Sequence, residues 1–174
     1  MLGLKRYTLE VVAHDAGWAA LAVAACQAVR LAGGDWLAEV EHVGSSAVAG
    51  LPAKPILDLA AGLRGWPAVP EAVQRLTAIG YLYRGDQRDE GGHLFVKESA
   101  PDIRIIHLHV VEHNGREWLN YIFFRDQLRL NAQYRAEYAA LKQRLAAELG
   151  HDREAYTAAK QDFIQGVLRQ RVDI

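Results

Sequence analysis

The sequence has little cysteine, little excess charge and no long hydrophobic run, and each scarcity excludes a class of protein. Its only cysteine, Cys26, cannot form an internal disulfide, and it excludes a zinc site built from several thiolates. The 20 basic and 21 acidic side chains leave a net charge of -1, so no general nucleic-acid footprint is expected. The longest stretch without a charged side chain, residues 16–29, is too short to span a bilayer, and the first residues lack a secretory pattern. We therefore expect a cytoplasmic protein without a membrane segment.

What is present is ordinary globular composition, with 51% hydrophobic and 24% charged residues over 174 positions. No internal repeat, low-complexity tract or Ser/Pro-rich linker divides the chain. A chain of this length fits one domain, so the sequence predicts a single domain over residues 1–174.

Hydrophobic periodicity and turn residues predict interleaved helices and strands up to residue 114 and helices alone after it. The predicted helices cover residues 15–30 and 70–80, and the predicted strands cover 36–43, 56–63, 81–84, 93–98 and 103–112. Asn114, Asn131 and Asp152 are predicted helix caps, and Gly150 a helix end. This order favours an α/β (α+β) fold in which a sheet flanked by helices precedes a helical C-terminal segment. Short connections between residues 81 and 112 favour antiparallel neighbours there.

A Gly-Ser-Ser segment, Gly44, Ser45 and Ser46, follows the first long predicted strand directly. A strand that ends this way before a helical turn brings backbone N–H groups and two hydroxyls together, as phosphate binding requires. The residues of this segment do not match the motif of a Walker loop, a nucleophile elbow or a dinucleotide-binding loop. A tight turn whose serines cap a helix is the alternative, and the segment alone does not separate the two.

An aspartate and two histidines could form a second constellation. Asp58 interrupts an apolar strand, where a carboxylate is costly unless it is paired or binds a metal, although a solvent-facing aspartate remains open. His107 and His109 alternate along a later strand, so both imidazoles face one side. Metal binding and ordinary paired histidines are both compatible with such a pair.

Basic side chains near two tyrosines form the third candidate group, for an anion. Tyr138 and Lys142, like Tyr156 and Lys160, are four residues apart and share a helix face. Each cation could simply be solvated, as could Arg125 on its own helix and Lys54 in its loop. Together they could close an anion site over the Gly-Ser-Ser segment.

Five blocks of sequence, in order along nearly the whole chain, closely resemble the GrpB family. They are Glu41–Asp58, His107–Glu112, Phe124–Arg129, Glu137–Lys142 and Asp152–Lys160. The resemblance implies a nucleotidyltransferase-like fold with a mixed β-sheet, and similar domains are fused to dephospho-CoA kinase in some bacteria. In active nucleotidyltransferases a Gly-Ser pair holds the triphosphate, and strand carboxylates bind two divalent metals. Carried across, the resemblance makes Gly44-Ser45 the phosphate loop and Asp58 the first carboxylate.

The sequence departs from the nucleotidyltransferase pattern where the second carboxylate is expected, because Ala60 stands there. The later strand offers His107 and His109 instead of an acid, a softer donor set that suits zinc, manganese or nickel better than magnesium. The divalent ion is therefore expected to be Mg, Mn or Zn, with its identity open, and its ligands to be Asp58, His107 and His109.

Three functional hypotheses follow from these residues. The leading one is a nucleotidyltransferase in which Asp58, His107 and His109 are catalytic. Its nucleoside triphosphate, or another phosphorylated small molecule, would be held by Gly44, Ser45, Ser46, Lys54, Arg125, Lys142, Tyr156 and Lys160. The alternatives are a degenerate nucleotide- or metabolite-binding module and a metal-dependent phosphoesterase. The sequence leaves the acceptor and the oligomeric state open.

Overall fold

Six strands form one mixed sheet among the residues that the computed structural model describes, which are 1–87, 92–150 and 152–171. The strands are β1 (Leu4–Lys5), β2 (Leu37–Val43), β3 (Leu57–Leu63), β4 (Leu82–Asp86), β5 (His93–Ala100) and β6 (Ile103–Glu112). Their order is β2-β3-β6-β5-β4, and β1 pairs with the start of β6. Strands β3 and β6 run parallel and the other neighbours antiparallel, which confirms the predicted α/β class and the antiparallel pairing of β4, β5 and β6.

Helices cover both faces of the sheet and continue alone after it. They are α1 (Gly17–Gly33), α2 (Val69–Ala78), α3 (Arg116–Leu130), α4 (Ala132–Leu149), α5 (Arg153–Ala159) and α6 (Gln161–Leu168). Helices α1 and α2 pack on the face formed by alternate apolar residues of β3 and β6, such as Leu59 and Leu108. On the opposite face, Trp118 of α3 packs on Val43 and Ala60. This second face also carries Asp58, His107 and His109, because it includes the alternate positions of β3 and β6.

A third apolar cluster joins the C-terminal helices to the segment between β2 and β3. Val48 and Leu51 of that segment are buried against Leu128 of α3 and Tyr138 of α4. Phe163 of α6 stacks on the Tyr138 ring, with ring centroids 5.0 Å apart. These contacts fix the position of the helical segment over one end of the sheet.

Two of the predicted caps are confirmed and one is wrong. The Asn131 side chain accepts hydrogen bonds from the backbone N–H groups of Gln133 and Tyr134, and Asp152 accepts one from that of Ala155. Helix α4 ends at Leu149, before the predicted terminator Gly150. Asn114 does not cap α3: its backbone has φ of 61°, so it is a turn residue, and Gly115 precedes the helix without a side-chain cap.

Candidate functional site

A cleft of about 610 Å³ lies between the sheet and the C-terminal helices. One wall is formed by the end of β2, by β3 and by β6, and it includes Gly44, Ser45 and Asp58. Residues of α3, α4, α5 and α6 form the rest of the lining. The cleft thus brings together most of the residues that the sequence singled out, namely Gly44, Ser45, Lys54, Asp58, His107, His109, Lys142, Tyr156 and Lys160.

The loop at the end of β2 is shaped by a glycine that packs against Asp58. Gly44 has φ of 66°, and a Cβ atom built there would lie 2.8 Å from Asp58 Oδ2. Both features require glycine, because an L side chain is strained at this φ and would displace the carboxylate. The loop backbone can therefore approach any group bound beside Asp58.

The two serines of the loop differ in their surroundings. Ser45 lines the cleft, whereas Ser46 is only 2% exposed and is not among the residues that line it. The Ser46 hydroxyl oxygen lies 2.9 Å from His42 Nε2 and accepts a hydrogen bond of 3.3 Å from the Asp58 backbone N–H. Ser46 therefore holds the start of β3 in place, and the structure does not bring its side chain to the cleft.

His42 is a contributor that sequence reasoning missed. It faces a second, smaller cavity behind the loop, and its ring anchors Ser46 and through it Asp58. Burial lowers the pKa of His42 to about 4, with nearby Arg129 and Arg125 acting in the same direction against the attraction of Asp58. The signal in the sequence was strand alternation, which places His42 on the opposite face from Glu41 and Val43.

Asp58 and the two histidines converge on one face of the sheet. Register pairs Asp58 with His107 and Ala60 with His109 on parallel neighbouring strands. Asp58 Oδ1 lies 3.5 Å from His107 Nδ1 and 3.9 Å from His109 Nε2. Burial alone would raise the pKa of Asp58, but the two imidazoles outweigh it and hold the pKa well below its usual range. Asp58 is therefore an anion at every ordinary pH.

These three side chains do not reproduce the carboxylate-held two-metal arrangement. Ala60, where a second carboxylate would be needed, is fully buried under Trp118. Within the described ranges, no cluster of three or more His, Cys, Asp or Glu side chains is arranged to hold a metal ion. A pair of magnesium ions therefore does not fit this site.

Lys142 is the most deeply buried cation of the opposite wall, with 2% of its surface exposed. Its ammonium group donates a hydrogen bond to the Pro52 carbonyl and lies 4.7 Å from the centre of the Tyr138 ring. Burial lowers the pKa of Lys142 to about 7, with Lys160 and Lys54 adding to the effect and Asp58 opposing it.

The other two lysines meet at a second tyrosine. Lys54 Nζ and Lys160 Nζ lie 5.0 and 4.5 Å from the centre of the Tyr156 ring, which is 1% exposed. Burial raises the pKa of Tyr156 to about 12, so its hydroxyl keeps its proton. Three lysines, one from the segment before β3 and two from the helical segment, thus gather at one end of the cleft.

Arg125 is not brought to the cleft. Its guanidinium donates to Glu41 at 2.6 Å, to Asp126 at 2.8 Å and to the His42 carbonyl at 3.1 Å. Although burial opposes it, these carboxylates raise the pKa of Arg125. The residue ties α3 to the edge strand β2 and lies outside the set that lines the cleft.

The fold is shared with a solved polymerase structure at low sequence identity. A crystal structure of the Cid1 poly(U) polymerase with MgGTP bound superposes with a TM-score of 0.55 at 15% identity, covering 78% of this chain and 44% of that one. The chain itself belongs to the GrpB family, since the pattern of the family described as GrpB protein matches residues 8–170.

Individual relatives agree with this assignment. The glutamate-rich protein GrpB of Alkalihalophilus pseudofirmus is 30% identical over 98% of this chain and 99% of its own length. The crystal structure of conserved protein GrpB from Enterococcus faecalis has a TM-score of 0.83 at 28% identity, covering 92% of this chain and 96% of that one. A dephospho-CoA kinase of Mycolicibacterium paratuberculosis is 27% identical over 98% of this chain, which spans only 47% of the kinase. None of the helices in the described part of the chain has the length and apolar character needed to cross a membrane.

Proposed function

We propose that this protein binds a nucleoside triphosphate, or a chemically similar phosphorylated small molecule, in the cleft and transfers its nucleotidyl group to an acceptor. The observation that carries the proposal is the pairing of two walls around one cavity. The Gly44-Ser45 loop and Asp58 lie on the sheet wall, Lys142 and Lys160 lie on the helical wall, and Lys54 joins them at the end of the cleft. A phosphate chain between them would meet backbone N–H groups on one side and positive charge on the other.

The proposed transfer needs little covalent help from the protein. An acceptor hydroxyl oxygen attacks the α-phosphorus, the bond from that phosphorus to the bridging oxygen breaks, and pyrophosphate leaves. The three lysines would balance the charge that builds on the leaving pyrophosphate. Asp58 would orient the reacting groups, and the imidazole of His109 or His107, each within 4 Å of Asp58, would accept the acceptor's proton.

A divalent ion that enters with the triphosphate would meet a mixed donor set here. By donor type, one carboxylate and two imidazoles would favour Mn or Zn over magnesium. Within the described residues, however, Asp58, His107 and His109 are not arranged as a metal site, so such an ion would be held mainly by the phosphate oxygens. When bound, such an ion would supply charge neutralisation at the phosphates. The rest of the proposed chemistry comes from the side chains already described.

Ala60 favours a second candidate function, in which the protein binds nucleotide but does not catalyse its transfer. The residue leaves Asp58 as the one carboxylate of β3, and the neighbouring Glu41 is engaged by Arg125. A chain that kept the loop and the lysines but lost a catalytic carboxylate would bind nucleotide as a sensor or carrier module.

The experiment combines a binding and a turnover measurement. The parent protein is incubated with each of the four ribonucleoside triphosphates and Mg, Mn or Zn, and its thermal midpoint and the release of pyrophosphate from labelled nucleotide in cell extract are followed. A ligand-dependent rise of the midpoint supports binding in the folded state. Pyrophosphate release with a labelled product supports transfer, whereas binding without turnover supports the module. Phosphate release from simple esters would point instead to the phosphoesterase.

Matched variants locate the site. Ser45→Ala should weaken nucleotide binding about fivefold or more, because a hydrogen bond to a charged group is lost. Lys142→Met should weaken it further, whereas Lys97→Met should not. Lys97 is a suitable control because it also donates to a backbone carbonyl, that of Ile79, and lies 5.2 Å from a tyrosine ring, yet it is outside the cleft. Equal losses for both lysine variants would contradict the assignment of the cleft.

A further inference from the structure

Lys142 is a buried ammonium group that faces other positive charge. Its side chain rises from α4 into the end of the cleft where Lys54 and Lys160 converge. It is 2% exposed, so water can reach very little of the group. In the described part of the chain, no carboxylate forms an ion pair with it, and its polar contact is the uncharged Pro52 carbonyl.

The groups around Lys142 come from every element packed against it. Lys54 lies on the segment before β3, and Asp58 on β3 itself, the one anion of the group. Helix α4 contributes Tyr138, whose hydroxyl is hydrogen-bonded to Ser45 and whose pKa is raised by burial. Tyr156 of α5 and Lys160 at its end complete the set, and both tyrosines are neutral at ordinary pH. Two cations and one anion therefore face Lys142, so the empty cleft disfavours a third positive charge.

Burial and the neighbouring lysines lower the pKa of Lys142 to about 7, so the group is half charged in the empty cleft at neutral pH. A phosphate chain that lies among the three lysines reverses the local field. It supplies negative charge and acceptors additional to the Pro52 carbonyl, and it thereby favours the protonated form of Lys142.

We infer that ligand binding in this cleft is coupled to protonation of Lys142, so that the ligand is taken up as a polyanion together with one proton. The inference rests on the proposed function, because it concerns the same anion site. It makes Lys142 a specificity-determining residue. Attraction to a ligand with several negative charges can exceed the free energy needed to protonate Lys142 beside Lys54 and Lys160. Attraction to a neutral or singly charged metabolite cannot.

The coupling has a definite sign. Below pH 6 the ammonium group is already charged in the empty cleft, so binding takes up almost no proton there. As the pH rises above 7 an increasing share of the free protein must first be protonated, and the affinity falls. A bound form that stays protonated gives an affinity loss of roughly 15-fold between pH 7 and pH 8.5.

Calorimetry tests this directly with magnesium ATP and with tripolyphosphate as a base-free probe. Titrations of the parent from pH 6 to pH 9, each in two buffers of different ionisation enthalpy, give the number of protons taken up. We expect uptake to rise from near zero at pH 6 to about one at pH 8.5 while the affinity falls. In Lys142→Met this uptake should vanish, and subtraction of the two curves removes the ligand's own ionisation. Lys97→Met should behave as the parent does.

A second variant keeps the test decisive if Lys142→Met does not fold. Lys160→Met removes the neighbouring charge that most disfavours protonation of Lys142, so the pH at which the affinity falls should move upward. Binding with the same proton uptake in parent and Lys142→Met, or an unmoved pH midpoint in Lys160→Met, would overturn the coupling and leave the proposed function standing. Absence of binding by either probe at every pH would overturn the proposed function, and the coupling with it.

Discussion

At the scale of single residues, Asp58 makes a pH-dependent contribution to stability. Its pKa in the folded state lies below the unfolded value of about 3.9, so its ionised form stabilises the fold above that pH and the contribution is lost as the pH falls. Asp58→Asn should lower the free energy of unfolding by about 1 kcal/mol at pH 6, a figure reduced for the screening expected at a side chain that is 34% exposed. Chemical denaturation from pH 6 down to pH 2 checks this, because the loss caused by the variant should begin to shrink only below about pH 4. A loss that stays constant down to pH 2 would indicate that packing, and not charge, accounts for the effect.

His42 should act on stability over a different pH range. The folded protein holds its pKa near 4, below the unfolded value of about 6.5, so unfolding takes up a proton between these values. Stability should fall as the pH drops from 6.5 to 4. His42→Gln retains a polar side chain able to reach Ser46 but cannot titrate. Between pH 6.5 and pH 4 its free energy of unfolding should therefore fall by roughly 2 kcal/mol less than that of the parent. Parallel denaturation curves for parent and variant over this range would contradict the prediction.

Individual roles within the site were only partly predictable from the sequence. Spacing predicted that His107 and His109 share one side of their strand, since alternation fixes which side chains share a face. That Asp58 faces them from the neighbouring strand follows only from the parallel pairing of β3 and β6. Pattern alone could not show that Ser46 turns away from the loop or that Arg125 is engaged by Glu41, because both depend on contacts distant in sequence. The burial of Lys142 could not be predicted either, because it also depends on residues distant in sequence.

At the scale of elements, the loop after β2 depends on glycine for two separable reasons. Gly44→Ala should destabilise the fold by roughly 2–4 kcal/mol, because it adds backbone strain at φ of 66° and a clash with the Asp58 carboxylate. Gly50→Ala is the matched control, since Gly50 has φ of 76° but no atom within 4 Å of the added Cβ. Gly50→Ala should lower the free energy of unfolding only by the backbone strain, about 1 kcal/mol. Equal losses in thermal or chemical denaturation would remove the clash with Asp58 from the explanation.

The positions of helices and strands were largely accessible from sequence, and the failures have local causes. Asn131 and Asp152 cap helices because each is followed at once by a helical run that offers free N–H groups. Asn114 has the same residue type, but it adopts the left-handed backbone of a turn, and Gly115 takes the position before α3. The two-residue strand β1 is too short for periodicity to reveal, because its pairing with β6 alone defines it.

At the scale of the whole molecule, neither wall of the cleft makes a site by itself. The sheet supplies the loop, the carboxylate and the imidazoles, and the helical segment supplies Lys142, Tyr156 and Lys160. The apolar contacts of Val48, Leu51 and Tyr138 hold these parts together, and they join residues almost 90 positions apart in sequence. Sequence blocks could identify each part, but their distance across the cleft follows only from how the helices pack on the sheet.

This two-walled arrangement predicts how a bound ligand should protect the backbone. A phosphate chain between the walls contacts both, so magnesium ATP should slow amide hydrogen exchange in residues 44–47 and also in the stretch covered by α5 and α6. Helix α2 packs on the opposite face of the sheet and provides the internal reference that should not change. The slowing should be lost in Lys142→Met under conditions where the parent is saturated. Protection confined to residues 44–47, with α5 and α6 exchanging as in the free protein, would mean that Lys160 and the helices beside it do not contact the ligand. Helices that take part in binding must open less often when the ligand is bound.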